Sequence, residues 1–200
     1  MTARPLKVAA IVLAAGRSTR MAPRNKLLEL VEGKPVVTHA VSAALGSRAD
    51  PIIVVTGFEA ERIEGALRGL IVKVVHNVDC AQGLSASLRT GLEALPTDTD
   101  GALILLGDMP RIETSDLNAL IAGFRDRQSI CIPVSDGRRG NPVLWGAAYF
   151  AEMTRITGDL GAKPLMAKYP ERVVEVPIDS DRIFADIDRP SDLARVTTKP

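Results

Sequence analysis

The sequence predicts an α/β fold, a doubly wound and mostly parallel sheet in a single domain. Strand-length apolar runs alternate with helix-length runs along most of the chain. The strand-like runs are almost continuously apolar, as strands covered by helices on both faces are. The length, 200 residues, suffices for one sizeable core and falls short of two ordinary domains.

Lys7–Leu13 reads as the first strand, and Pro35–Leu45 as the first helix. Pro51–Thr56 is a strand, Glu59–Leu70 a helix, Ile71–His76 a strand and Leu84–Leu95 a helix. Ala102–Leu106 is a strand, and Thr114–Arg125 a helix for which Thr114-Ser115-Asp116 offers an N-cap. Ile130–Val134 and Arg172–Ile178 complete the strands. The stretch from Ser135 to Pro170, rich in Gly and Pro, breaks the alternation and reads as an insertion covering one edge of the sheet.

Arg4 and Lys7 ahead of Val8–Ala15 superficially match a signal peptide. That apolar run is short for one, and an arginine-rich loop follows it. No apolar run approaches the roughly 20 residues of a membrane helix. Aromatic residues make up 4% of the chain, so Val, Leu, Ile and Ala build the core. A net charge of +1 gives no global field for nucleic acid. Cys80 and Cys131 form no C-x-x-C pair, which argues against a disulfide framework and a zinc site. A reducing cytoplasm is the expected location.

The first strand runs straight into Ala14-Ala15-Gly16-Arg17-Ser18-Thr19-Arg20-Met21, then Asn25-Lys26. Small residues let backbone N–H groups approach an anion, and Arg17, Arg20, Arg24 and Lys26 supply neutralising charge. This suits a triphosphate. Neither common phosphate loop is present: Gly16 stands alone, so G-x-x-x-x-G-K-[ST] and G-x-G-x-x-G are both absent.

Ligands of such sheets bind beyond the carboxyl ends of the strands. Asn77 and Gln82-Gly83-Leu84-Ser85-Ala86-Ser87 follow the third strand, and Gly107-Asp108-Met109-Pro110 the fourth. Asp108, with Gly107 clearing room, suits Mg²⁺, which one or two carboxylates hold together with substrate phosphates. Asp186 is the expected second ligand. Asp188, two residues on, suits either that role or a cap for the helix near Pro190–Ala194.

These segments, with Gly140-Asn141-Pro142, Gly158-Asp159-Leu-Gly-Ala-Lys163 and Asp186-Ile-Asp-Arg-Pro190, resemble the MobA-like NTP transferase family. Within it the chain is most similar to the molybdenum cofactor cytidylyltransferase (MocA-like) branch. The resemblance covers nearly the whole chain. It implies a Rossmann-like, GT-A-like nucleotidyltransferase domain over residues 1–200, with the insertion at about 135–170 on the acceptor side. It implies transfer of CMP from CTP to a phosphorylated pterin carrying molybdenum, with release of pyrophosphate and with Mg²⁺ as cofactor.

The resemblance also implies roles. Leu13, Ala14, Ala15 and Gly16 would line the nucleotide; Arg17 and Lys26 would hold its outer phosphates. Gly83, Ser85 and Ser87 would border the cytosine or ribose, although the serines also suit N-capping. Arg17, Lys26 and Asp108 form the catalytic set. Arg138, Asn141, Asp159 and Lys163 would face the acceptor, and Arg139 adds to the positive charge there. A molybdoenzyme or its chaperone would receive the product. Two positions depart from the branch: Asn141 stands where it usually has His, and Lys163 where it usually has Arg. Both bear on the acceptor, not the nucleotide.

Other constellations are weaker. Gly83–Ser87 falls short of G-x-S-x-G, and His39 and His76 complete no hydrolase triad. Trp145 reads as core or lid. Two rival functions are a nucleotidyltransferase using a sugar or alcohol phosphate and an NAD(P)-linked oxidoreductase. The missing G-x-G-x-x-G argues against the latter.

Overall fold

A computed structural model describes residues 4–21, 23–159 and 161–198. Ala22 of the phosphate loop and Leu160 of the Gly158–Lys163 motif lie outside the described residues.

In chain order the strands and helices are β1 (Val8–Ala14), β2 (Leu30–Val31), β3 (Lys34–Pro35), α1 (Val36–Gly46), β4 (Ile52–Thr56), α2 (Ala60–Ala66) and β5 (Lys73–His76). Then come α3 (Leu84–Glu93), β6 (Gly101–Leu106), α4 (Thr114–Gly123), β7 (Ile130–Ser135), β8 (Arg138–Arg139) and β9 (Val143–Gly146). The last are α5 (Phe150–Met153), α6 (Lys163–Lys168), β10 (Val173–Pro177) and α7 (Pro190–Thr198). The main sheet runs β10-β7-β9-β6-β1-β4-β5, with β8 paired to β7. The β1–β4, β1–β6, β4–β5 and β7–β10 pairs are parallel. The expected doubly wound, mostly parallel sheet is present.

Strand periodicity divides the core in two. Val8, Ala10, Val12 and Ala14 of β1 join the cluster under α1, α4 and α7. Ile11 and Leu13 join the cluster under α3, α5 and α6. Every residue of β1 is buried, which explains its unbroken apolar run. Gly91 lets α3 lie close on the sheet: a Cβ there would sit 2.5 Å from Ile11 Cγ2.

The Ser135–Pro170 expectation needs correction. This stretch does not simply cover a sheet edge. Its Val143–Gly146 segment is an interior strand, antiparallel to both β6 and β7. Its helices α5 and α6 then cover one face through Met153 and Leu165. Smaller corrections concern element ends. β5 starts at Lys73, and Ile71 is exposed. α2 ends at Ala66, short of the expected Leu70. The N-cap of α4 is Glu113, not Thr114–Asp116, and its N–H donates to Asp116 Oδ2 at 3.0 Å.

Chain order places the site. From β1 the sheet grows through β4 and β5 on one side, and β6 lies on the other. The loops leaving β1 and β6 therefore diverge and open a crevice between them. The Gly107 N–H donates to Leu13 O at 3.0 Å, fastening the two strand ends together below it. Among the described residues no helix is long and apolar enough to cross a membrane.

Candidate active site

The loop after β1 is held by its own polar side chains. Ser18 adopts a positive φ of 49°, and its Oγ accepts from the Lys26 N–H at 3.2 Å. Asn25, buried, accepts from the Leu27 N–H at 3.1 Å and caps the short turn Lys26–Leu28. These bonds fix Lys26 at the crevice. Arg17 stays exposed, its guanidinium 6.0 Å from the centre of the Phe58 ring.

The Lys26 ammonium lies between two carboxylates, 2.5 Å from Asp108 Oδ2 and 3.1 Å from Asp188 Oδ1. Burial alone would lower its pKa; Asp108 and Asp188 outweigh burial and raise it. Burial pushes the Asp108 carboxyl up, Lys26 opposes this, and the nearby charge of Asp186 pushes it up again; the net direction is upward. Asp188 goes the other way. Burial works to raise it, but Lys26 and Arg20 hold it below the ordinary aspartate value. Arg20 reaches Asp188 at 2.5 Å, and Arg24 lies 3.6 Å from Glu29, so neither is a bare loop cation.

The carboxylates are arranged by the segment 186–188. Ile187 is buried, and its N–H donates to Asp108 O at 3.0 Å. Asp186 and Asp188 flank it. Among the described residues Asp188 accepts from no backbone N–H of α7; instead Asp192 accepts from the N–H groups of Asp188 and Arg189. Asp186 makes no ion pair among the described residues. Asp108 Oδ1 is buried without a hydrogen-bond partner. A buried, unpartnered oxygen beside a second, unneutralised carboxylate fits a divalent cation. No group of three or more His, Cys, Asp or Glu gathers among the described residues, so remaining ligands would come from substrate and water.

A cleft of about 510 Å³ holds Lys26, Asp108 and Asp188, while Asp186 lines the neighbouring cavity. Leu13, Ala15, Gly16, Arg17, Lys26 and Asp108 form one side. Cys80–Leu84 and Ser87 form a wall without charge. Ala14 is buried in the core, and its side chain belongs to the cluster under α1. Gly83 takes φ 100°, and a Cβ there would meet Asp159 Oδ1 at 2.3 Å. Ser85 and Ser87 are both buried, but only Ser87 lines the cleft. Neither caps α3, whose first residue is preceded by Gly83. The α3 end is instead closed from outside: Leu84 N–H donates to Asp159 Oδ1 at 3.1 Å and Ser85 N–H to Gly158 O at 3.2 Å.

A second cavity of about 600 Å³ opens beside the first, and Leu13, Leu84, Leu106 and Asp159 border both. Its floor is apolar, with Leu88, Ile104, Ile132, Val143 and Trp145. Asn141, Asp159 and Lys163 line it, and Arg139 joins them. Lys163 makes no ion pair among the described residues, whereas Arg139 pairs with Glu175 at 2.8 Å. Arg138 departs from expectation. Neighbouring residues of β8 point to opposite faces, so Arg138 stacks on Phe184 at 4.5 Å and lines a different cavity with Asp186 and Asp188. Trp145 is buried, edge-on to Tyr149 at 5.9 Å.

Comparison with known proteins gives a consistent picture. A model of the MobA-like NTP transferase domain matches residues 10–173. The bifunctional protein GlmU of Kineococcus radiotolerans is 33% identical over 172 residues, which are 84% of this chain and 35% of GlmU. The chain thus spans about a third of the length of the curated relatives it matches. A nucleotidyl transferase from Methanothermobacter thermautotroptrophicus superposes with TM-score 0.85 at 28% identity, over 96% of both chains. Rv0371C of Mycobacterium tuberculosis H37Rv, solved in complex with manganese, superposes with TM-score 0.82 at 25% identity, over 97% of this chain and 100% of that one.

Proposed function

Because the chain belongs to the MobA-like NTP transferase family, we propose that it transfers CMP from CTP to a phosphorylated pterin, the molybdenum cofactor, and releases pyrophosphate. One observation carries the reading. Lys26 and Asp108 meet at the ends of β1 and β6, in a cleft that continues into an apolar cavity edged with polar and cationic groups. A triphosphate beside an apolar-bodied acceptor with an anionic head matches both halves.

The residues divide the work. Backbone at Ala14–Gly16, with Leu13 beneath, carries the nucleotide, and Arg17 and Lys26 bind its outer phosphates. The uncharged wall at Gly83–Ser87 faces the nucleoside. The methyl of Ala15 occupies room that a purine would need and favours a pyrimidine. Asn141, Asp159 and Lys163 position the acceptor, and the Lys163 ammonium, without an ion pair among the described residues, suits its phosphate. An acceptor phosphate oxygen attacks the α-phosphorus of CTP; the new P–O bond forms as the bond to the β-phosphate oxygen breaks. Positioning and charge do this without a covalent enzyme intermediate.

Mg²⁺ fits Asp108 and Asp186, and when bound it would neutralise phosphate charge at the reacting centre. The manganese complex of Rv0371C, a structural neighbour, supports the use of a divalent ion. The manner of delivery proposed is direct handover to a molybdoenzyme or its chaperone in the cytoplasm. A second reading keeps the nucleotide and changes the acceptor to a sugar or alcohol phosphate. The residues that favour it are Asn141 and Lys163, which differ from the branch pattern. A screen of CTP against phosphorylated pterin, sugar and alcohol acceptors with Mg²⁺, read as pyrophosphate release, separates the two.

A further inference from the structure

We infer that Asn77 is a positioning residue for base recognition, aiming the Ser87 hydroxyl proton into the nucleotide cleft. The inference rests on the proposed binding of a nucleotide there.

Asn77 follows β5 and is buried. Its N–H donates to Thr56 O at 2.8 Å, which ties it to the end of β4. Its Oδ1 accepts from the Asp79 N–H at 2.9 Å. Only an oxygen can face that N–H, so the orientation of the amide is settled. Its Nδ2 then faces Ser87 Oγ at 3.0 Å and donates to it.

Ser87 therefore accepts on its buried side and must place its own proton elsewhere. A helical serine commonly returns it to the carbonyl four residues back. Thr90 does so, donating to Ala86 O at 3.0 Å. Ser87 makes no such bond among the described residues, and it lines the cleft. The hydroxyl is thus a donor toward the ligand. A base seated against it must offer an acceptor. Both pyrimidines accept at O2, but only cytosine accepts at N3, where uracil carries a proton. With the hydroxyl set against N3, the Asn77–Ser87 pair selects CTP over UTP.

Calorimetry with CTP, UTP and inorganic tripolyphosphate, each with Mg²⁺, tests this. Asn77→Asp still accepts from Asp79 but also accepts the Ser87 proton, withdrawing it from the cleft. It should lose at least tenfold in CTP affinity, lose less for UTP and leave tripolyphosphate unchanged. Ser87→Ala should lose as much, the double variant no more, and Ser87→Thr should retain CTP preference. An Asn77→Asp or Ser87→Ala protein that keeps the wild-type CTP-to-UTP ratio overturns the inference. So does equal weakening of CTP and tripolyphosphate, which marks a merely structural role. A wild type that binds tripolyphosphate but no nucleotide overturns the underlying reading of the cleft, and the inference with it. Should Asn77→Asp fail to fold, Ser87→Ala decides alone.

Discussion

Lys26 Nζ sits 2.5 Å from Asp108 Oδ2, so the cation assigned to phosphate and the carboxylate assigned to metal neutralise each other across the crevice. Both side chains are mostly buried, at 16% and 13% exposure, where an unpaired charge is costly. Each is therefore poised to exchange its partner for a ligand charge of the same sign.

Lys26→Ala should weaken CTP binding and slow turnover, with a smaller effect on CMP. The lysine is assigned to the outer phosphates, which CMP lacks. Calorimetry with both nucleotides checks this. Equal losses would place Lys26 at the nucleoside or in a purely structural role.

An ammonium and a divalent cation compete for the same carboxylate. Lys26→Met should accordingly tighten Mn²⁺ binding by nucleotide-free protein, by about tenfold or more if a pair energy near 1.4 kcal/mol is released. The paramagnetic signal of free Mn²⁺ in a titration reads it. Unchanged or weaker binding would separate the metal from Asp108.

Asp108→Asn keeps the volume and should leave the fold intact while abolishing turnover. Lys26 retains Asp188 at 3.1 Å, so no cation is stranded. More than about a tenth of wild-type rate at saturating Mg²⁺ contradicts the assignment, since tenfold is only about 1.4 kcal/mol.

Stability has its own titrating anchor away from the site. The Asp100 side chain is buried and accepts from Arg4 at 2.7 and 2.9 Å and from the Lys7 N–H at 2.9 Å. Burial works to raise its pKa, but these donors overcome burial and lower it. A depressed carboxylate stabilises above the unfolded value and loses that contribution as pH falls through the folded one. Asp100→Asn should cost about 1–2 kcal/mol at pH 7, since half-exposed Arg4 is screened. Thermal unfolding at neutral pH and at about pH 3 should show that difference shrinking with acid; a constant difference argues for packing instead.

Much of this was legible in the sequence because it depends on local pattern. The unbroken run of β1 announces a strand buried on both faces, and Gly107-Asp108 directly behind another such run marks a pocket edge. What failed depends on tertiary pairing. Val143–Gly146 is four residues long, lies between Pro142 and a turn, and becomes a strand because β6 and β7 flank it. Arg138 and Arg139 look alike in sequence, and only the β7–β8 register separates their faces. Asp186 and Asp188 differ by which one Lys26 and Arg20 reach. Asn77 carries no motif of its own, and its role lies in a bond to a residue ten positions away.

The base preference tests the role of Ala15. One methyl group in such a pocket is worth on the order of 1–3 kcal/mol, or about 10–200-fold. Ala15→Gly should narrow the CTP-over-GTP gap without reversing it, because base reading is also assigned to the Gln82–Ser87 segment. The measurement is kcat/KM for both nucleotides in both proteins. A gap that does not move would remove Ala15 from base selection.

The most direct test of the central claim is pyrophosphate release by the wild-type protein with Mg²⁺, a phosphorylated pterin and each of CTP and GTP in turn. The account predicts release that requires both CTP and the pterin, and little with GTP. Release with GTP as efficient as with CTP would contradict the cytidylyl assignment, and no release with any nucleotide and acceptor would contradict the nucleotidyl-transfer reading as a whole.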